Sequence, residues 1–381
     1  MQLRYGMNPH QDASIMLPPG PAPVRVISGV PSAINMLDAL SGWQLVREVA
    51  IATGAPAAAS FKHVSPAGVA VAGPLDLTAQ GTWSAGASPG PLTSAYIRAR
   101  DADPKSSFGD MIAVSEPVDG ELAAFPGGVV ADGIIAPGFE PGTAGLLAAK
   151  KRGSFLVLEA DAAYQPPDSE LRDVFGLVLK QQRDVIPITA ASLAVAAGGP
   201  LPAAAVTDAL TGLITLRYTQ SNSVTLVAAG ATLAVAVGQQ NRVDCVRLAA
   251  AKAATWWLRR HPAIRDLPVV PGMTRQDRLN WQTRLADGDM TPWQAAEFGR
   301  LFPAHPPLAP QEGAAWLAQL TGVTLVSDGY LPFRDNVDHA SRIGVQVIVE
   351  PGGSVRSGEV ADACAEYGMT LVRTGQRLFR H

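Results

Sequence analysis

Apolar residues recur along this 381-residue chain in short runs that alternate between strand-like and helix-like spacing. Residues 33–49 read as an amphipathic helix, with Leu37, Leu40 and Leu45 among its buried positions. Residues 57–61 are a short apolar run expected to form a strand, which Pro66-Ala67-Gly68 should interrupt. Proline is tolerated in a first helical turn, so residues 65–71 are expected to begin a helix. A helix over 92–102, strands over 111–114 and 129–136, and a helix over 143–151 come next. The basic residues of that last helix sit at its electrostatically favoured end. A strand over 155–159 completes an α/β alternation.

A similar series begins after the small-residue stretch 190–205. It comprises a helix over 205–216, strands over 223–227 and 232–237, and a long helix over 243–260. After Trp- and Pro-rich residues 262–320, expected to be a helical insertion, come a strand ending at 325–328, a helix over 337–343 and a strand over 345–349. A helix over 357–367 and a strand over 370–373 close the series. Residues 1–24, polar and then Pro-rich, read as an extended lead-in. The length exceeds one average hydrophobic core, so two α/β domains are expected, 1–195 and 196–381. No close sequence repeat is visible between them, only the shared strand–helix alternation.

With 47% hydrophobic and 17% charged residues the chain can bury enough surface to fold. Its 30 basic and 33 acidic residues leave a net charge of -3, which argues against broad nucleic-acid binding but allows a local pocket for one small anion. Cys245 and Cys364 have neither disulfide-framework nor metal-ligand spacing and read as buried free thiols in a reducing compartment. The first residues lack the apolar core of a signal peptide, and the apolar stretch 190–197 is too short to span a bilayer, so a cytoplasmic location is expected.

Chemistry concentrates in Phe61-Lys62-His63-Val64-Ser65-Pro66-Ala67-Gly68. Taken alone, Lys62-His63 is as well explained by a surface turn as by an acid–base device. In the second reading His63 exchanges protons near neutrality, and Lys62 stabilises an oxyanion or protonates a leaving nitrogen. Adjacent residues diverge, so the two side chains suit opposite sides of one reacting group. Arg4 and Tyr5 read either as a frayed start or as an anion-gripping, ring-stacking arm. Asn222, in Tyr218-Thr219-Gln220-Ser221-Asn222-Ser223, caps a turn or holds a carbonyl or formyl oxygen. Arg242 comes after Gly238-Gln239-Gln240-Asn241 at the start of a helix, a sequence compatible with an anion nest. Phe333 and Asp338 either flank a capped helix start or recognise a planar pterin-like ring. Arg377, in the terminal Gly375-Gln376-Arg377-Leu378-Phe379-Arg380-His381, belongs to a frayed end or to a basic tail that completes a pocket.

The motifs LRYGMNPHQ, FKHVSPAGVAV, SSFGDMIAVS, RYTQSNSV, GQQNRVDCVRLAAAKA, SDGYLPFRDNVDHA, VEPGGSVR and TGQRLFRH occur in this order from the first residues to the last. With them the chain resembles the transformylase part of the AICAR transformylase/IMP cyclohydrolase family. The resemblance implies two cytidine-deaminase-like α/β subdomains and a homodimer with active sites at the subunit interface. It implies formyl transfer from 10-formyltetrahydrofolate to the 5-amino group of AICAR. On matching positions it implies Lys62, His63 and Asn222 as catalytic residues. Arg4, Tyr5, Arg242 and Arg377 would lie on the nucleotide side, and Phe333 and Asp338 on the folate side. The deaminase zinc signature is absent, so no zinc is expected, although some relatives bind a structural alkali cation. The chain opens on the transformylase motif, so a separate IMP cyclohydrolase is implied. Two other readings remain: a formyltransferase specialised for another aminoheterocycle, and a non-catalytic nucleotide- or folate-binding module, against which the joint presence of Lys62, His63 and Asn222 argues.

Overall fold

The computed structural model describes residues 1–17 and 19–381. The first half runs β1 (Val24–Ser28), α1 (Ala33–Thr53), β2 (Ala57–Lys62), β3 (Ser65–Val71), α2 (Leu77–Trp83), α3 (Pro91–Ala102), β4 (Asp110–Val114), α4 (Gly120–Ala124), β5 (Ala131–Ala136), α5 (Thr143–Ala148) and β6 (Leu156–Ala160). A separate hairpin, β7 (Ser169–Val174) and β8 (Leu177–Gln182), leads to β9 (Ala194–Ala197), which straddles residues 195/196. Then come α6 (Ala203–Arg217), β10 (Val224–Ala228), β11 (Ala231–Ala236) and α7 (Arg242–Leu258). Residues 262–320 supply four helices: α8 (Pro262–Arg265), α9 (Arg275–Asp287), α10 (Pro292–Leu301) and α11 (Pro310–Leu317). The chain closes with β12 (Val323–Ser327), α12 (Asp335–Ser341), β13 (Val345–Glu350), α13 (Ser357–Glu366) and β14 (Thr370–Arg373).

Among the described residues, twelve strands form one mixed sheet in the order β1-β6-β5-β4-β2-β3-β11-β10-β12-β13-β14-β9. The order reads the same from either end once β1 is matched with β9, β2 with β10 and β4 with β12. Pairing directions match as well. In each half a hairpin pairs antiparallel with the first of three parallel strands, and an antiparallel strand closes the outer edge. Between the halves the ladder is thin: β3 meets β11 through the pair Ala70 and Ala231. Shared packing makes up for it. One core, beneath α1 and α6, takes Met36, Trp43 and Val46 from the first half and Leu213, Ile214 and Val349 from the second. The opposite face carries a large core in each half and a small cluster, Ala70, Ala99 and Ala231, where the halves meet. Asp101 on α3 also accepts hydrogen bonds from Arg259 at 2.9 Å and Arg260 at 2.8 Å, just beyond α7.

Two expectations change. Residues 65–71 are strand, not helix, because β2 and β3 pair as a hairpin from Ala57/Val71 to Lys62/Ser65. Pro66 is accommodated where the register shifts opposite Ser60 and Phe61, a position that needs no ladder donor. On α1, Leu37 is 37% exposed, whereas Met36, Ala39, Trp43, Leu45, Val46 and Val49 are buried. The helix packs on both the sheet and α6, so its buried positions do not trace a simple apolar stripe. No described helix is long and apolar enough to cross a membrane.

Gly68 lets α3 lie directly on β3. A Cβ there would fall 2.0 Å from the Ala99 carbonyl oxygen and 2.7 Å from Ala102 Cβ. Neither backbone can yield without moving the helix. Gly68→Ala should therefore lower unfolding stability by about 3 kcal/mol, measured by chemical denaturation.

Candidate functional site

Register places the predicted residues with respect to the sheet. At one edge lie the β2–β3 turn, the start of β5, the segment before β10, the segment after β11 and the loops after β12, β13 and β14. Lys62, His63, Asn222, Arg242 and Arg377 therefore share an edge. Lys62 and Asn222 are separated by β3 and β11, three strand spacings or about 14 Å.

Lys62 ends β2 half-buried. Its ammonium donates to the Phe108 carbonyl and, at 3.2 Å, to that of Gly109. A Cβ on Gly109 would lie 3.0 Å from Lys62 Nζ and 3.8 Å from Asp132 Oδ1, a carboxylate paired with Lys151 at 2.7 Å. Phe108 also borders a cleft of about 640 Å³ whose walls include Lys105, Asn280, Arg284 and Asp287. Exposed His63 and half-buried Val64 form the two-residue turn with φ of 52° and 59°. That conformation matches strand twist but is costly for a β-branched residue, about 1–2 kcal/mol.

Asp38, which the sequence reading missed, holds this turn. It is buried on α1, and Val64 N–H donates to its Oδ1 at 2.5 Å, with the His63 N–H also directed to it. Burial pushes the carboxyl up to about 6, against the opposing pull of the Val64 N–H, His63 and Lys62. The opposite half repeats the arrangement. Asp208, buried on α6, accepts the Gly230 N–H at 2.5 Å, with the Ala229 N–H also directed to it. Burial likewise pushes Asp208 up to about 6. Each Asp is the sixth residue of its helix, in Asp38-Ala39-Leu40-Ser41-Gly42 and Asp208-Ala209-Leu210-Thr211-Gly212. This pentad is the repeat that was not apparent in the sequence. It becomes visible when the halves are aligned on their hairpins, and it is the signal that points to Asp38.

Asn222 is joined to Ser221 by a cis peptide bond. Its side-chain NH₂ donates to the Gln239 carbonyl at 2.9 Å, and its Oδ1 accepts from Arg242 at 2.7 Å. Arg242 is itself buried. It also donates to the Ser223 carbonyl and pairs with Asp328, which accepts from the hydroxyls of Ser221 and Ser223. The C-terminal tail is fastened to the same cluster. Leu378 N–H donates to the Asp328 carbonyl at 2.9 Å, and Ser221 N–H to the Arg380 carbonyl at 2.9 Å. Exposed Arg377 stacks on Phe379, 4.6 Å from its ring centre. Arg380 reaches Ser41 on α1 at 3.2 Å, so one helix supports both Lys62-His63 and Asn222.

The first residues are also tied down. Arg4 N–H donates to the Pro31 carbonyl and Ala33 N–H to that of Tyr5, which sets both side chains beside the start of α1. Phe333, in the loop after β12, lies at the edge shared by Lys62 and Asn222 too, and Asp338 is on α12. Phe333 lies 5.2 Å from the Arg356 guanidinium, and Asp338 accepts from Tyr367 at 2.9 Å and Arg334 at 3.3 Å. Burial pushes the thiols of Cys245 and Cys364 up to about 12, so neither is a ready nucleophile. Among the described residues no group of three or more His, Cys, Asp or Glu side chains is placed to hold a metal ion.

A family model described as AICARFT/IMPCHase bienzyme matches residues 1–252. The chain belongs to the AICARFT/IMPCHase bienzyme family. Over its whole length it is 30% identical to the bifunctional purine biosynthesis protein PurH of Roseobacter denitrificans, covering 59% of that protein. It is 29% identical to the protein of that name from Mycobacterium marinum, covering 58%, and 30% identical to that of Cereibacter sphaeroides, covering 59%. The chain thus spans about three fifths of these members of the bienzyme family.

Two stability measurements check this electrostatic picture. A buried Asp with a raised folded pKa binds its proton more tightly folded than unfolded. Its stabilising contribution is full below about 4 and is lost as pH rises to about 6. Asp38→Asn removes that loss. Relative to wild type, its unfolding free energy should shift in the variant's favour by about 2 kcal/mol between those pH values. Arg242→Met leaves Asp328 buried without its cation and should cost about 3–5 kcal/mol in denaturant unfolding.

Proposed function

We propose that this chain transfers the formyl group of 10-formyltetrahydrofolate to the 5-amino group of AICAR, giving FAICAR and tetrahydrofolate in purine biosynthesis. Membership of the bienzyme family supports the reaction class. The observation that carries the reading to particular residues is the Lys62-His63 turn, which lies on the same sheet edge as Asn222 and is supported by the same helix.

His63, exposed at the turn, takes a proton from the AICAR amine, a poor nucleophile because its lone pair is drawn into the ring. The neighbouring carboxamide of AICAR relays that proton. The amine attacks the formyl carbon, and Lys62 stabilises the tetrahedral oxyanion or protonates departing folate N10. Asn222 holds the reacting amine or carboxamide, its orientation set by Arg242 and the Gln239 carbonyl. Arg4, Tyr5 and Arg377 contact the nucleotide, and Arg242 shapes its pocket from behind Asn222. Phe333 and Asp338 serve the folate. Holding two large ligands in register supplies much of the rate advantage.

The repeated sheet order supports two cytidine-deaminase-like subdomains in place of one undivided fold. The catalysis described uses no zinc; an alkali cation is compatible with it in a structural role. The β7–β8 hairpin exposes Leu171, Val174, Phe175, Leu177, Val178 and Leu179, which supports association into a homodimer. In such a dimer Phe333 and Asp338 of one copy can serve Lys62-His63 of the other. A cytoplasmic enzyme fits this reading.

The test is a spectrophotometric assay with AICAR and 10-formyltetrahydrofolate, with mass detection of FAICAR. His63→Ala should lower turnover by about 100-fold or more while AICAR binding, measured by calorimetry, stays within about threefold. Turnover comparable to wild type would remove His63 from its role. Transfer to another amine but not to AICAR would replace the substrate.

A further inference from the structure

The hairpin device occurs twice, but only one copy carries chemistry. Asp38 sits beneath His63 and Val64, whereas Asp208 sits beneath Ala229 and Gly230. The second turn takes its left-handed conformation with a glycine, φ 73°, at the position where the first has Val64, φ 59°. Glycine accepts that region freely and a β-branched residue does not. Something outside the turn must therefore hold Val64, and the contact present is the Asp38 carboxylate. Register separates the copies too. The Lys62-Ser65 closure lies at the edge shared with Asn222, and the Ala228-Ala231 closure lies at the opposite edge.

We infer that Asp38 is a positioning residue for formyl transfer: by accepting the N–H groups of His63 and Val64 it fixes the strained turn that aims Lys62 and His63, whereas Asp208 performs the same backbone task with no part in the reaction. The charged groups acting on Asp38 are His63 and Lys62, both from the turn it holds. Lys62 is anchored on its other side by the carbonyls of Phe108 and Gly109. Releasing the turn therefore leaves Lys62 attached and moves His63, which has no comparable side-chain anchor among the described contacts. The signature expected is a fall in kcat with little change in substrate binding.

The inference rests on the transformylase reading for its kinetic test, and Asp208 supplies an internal control. Asp38→Ala, which removes the acceptor, should lower kcat at least tenfold with KM for AICAR and 10-formyltetrahydrofolate within about twofold. Asp208→Ala, an equivalent change in the other half, should leave kcat within twofold. Adding Val64→Gly to Asp38→Ala should recover threefold or more, because glycine holds the turn without help. Equal losses for Asp38→Ala and Asp208→Ala, or wild-type kcat for Asp38→Ala, would overturn the assignment. If Asp38→Ala does not fold, Asp38→Glu takes its place: it keeps the charge but shifts the acceptor by one methylene, so lowered kcat supports the inference and wild-type kcat rejects it. A second readout needs no turnover. In protein labelled with ¹⁵N-valine and carrying His63→Asn, whose side chain does not titrate, the Val64 amide signal should titrate with an inflection near pH 6 and lose that inflection on adding Asp38→Asn. If wild type is inactive and this titration is intact, the transformylase reading fails and the Asp38 contact stands. If wild type is active and the titration is absent, the Asp38 inference alone fails.

Discussion

A buried carboxylate accepting backbone N–H groups from a two-residue hairpin turn is the contact on which this architecture depends. Burial alone would drive Asp38 and Asp208 to protonate, and the N–H donors are what oppose it. Each Asp ties the second turn of a long helix to the tip of the nearest hairpin. The helix cannot then slide along the sheet, nor the hairpin twist away from it. Gly42 and Gly212, four residues further along, make the same close approach. A Cβ on Gly42 would press on Ala113 at 2.8 Å, and one on Gly212 on Val326 at 2.5 Å. Helix placement on both halves is set by five residues used twice.

The junction between the halves is secured mainly by packing. With one residue pair in the β3–β11 ladder, the joint relies on the core shared by α1 and α6 and on the Asp101–Arg259–Arg260 ion cluster. Such a joint is rigid because core side chains cannot shift without opening voids. The consequence for the site is direct. Lys62-His63 comes from one half and Asn222 from the other, and their separation is set by strand spacing across the joint. Arg380, reaching from the tail to Ser41, adds a polar tie beneath the same span.

Much of the element pattern was legible in the sequence, because period-2 and period-3.6 apolar spacing survives in most segments. The failures are instructive. Pro66-Ala67-Gly68 carries turn and breaker signals, yet a register shift lets the proline sit in a strand and the close approach of α3 demands the glycine. Leu37 looked like core because it is apolar, but α1 is buried on two sides by the sheet and α6, and Leu37 points to neither. The partners of Arg242, which comes after a Gly-led polar segment compatible with an anion nest, could not be read from the chain. The fold buries it against Asp328 and directs its remaining donor to Asn222.

By itself the sequence determined the α/β alternation, the ordered motifs that mark the family, and the residue types able to move a proton and stabilise an oxyanion. These are local properties, carried by side-chain chemistry and spacing along the chain. Only the tertiary structure decided that the two halves repeat each other across one sheet, that His63 and Val64 form a strained left-handed turn, and that Asp38 lies beneath it. Those facts depend on contacts between segments far apart in the chain. A buried Asp in a helix gives no sign of its partner until the hairpin has folded back over it.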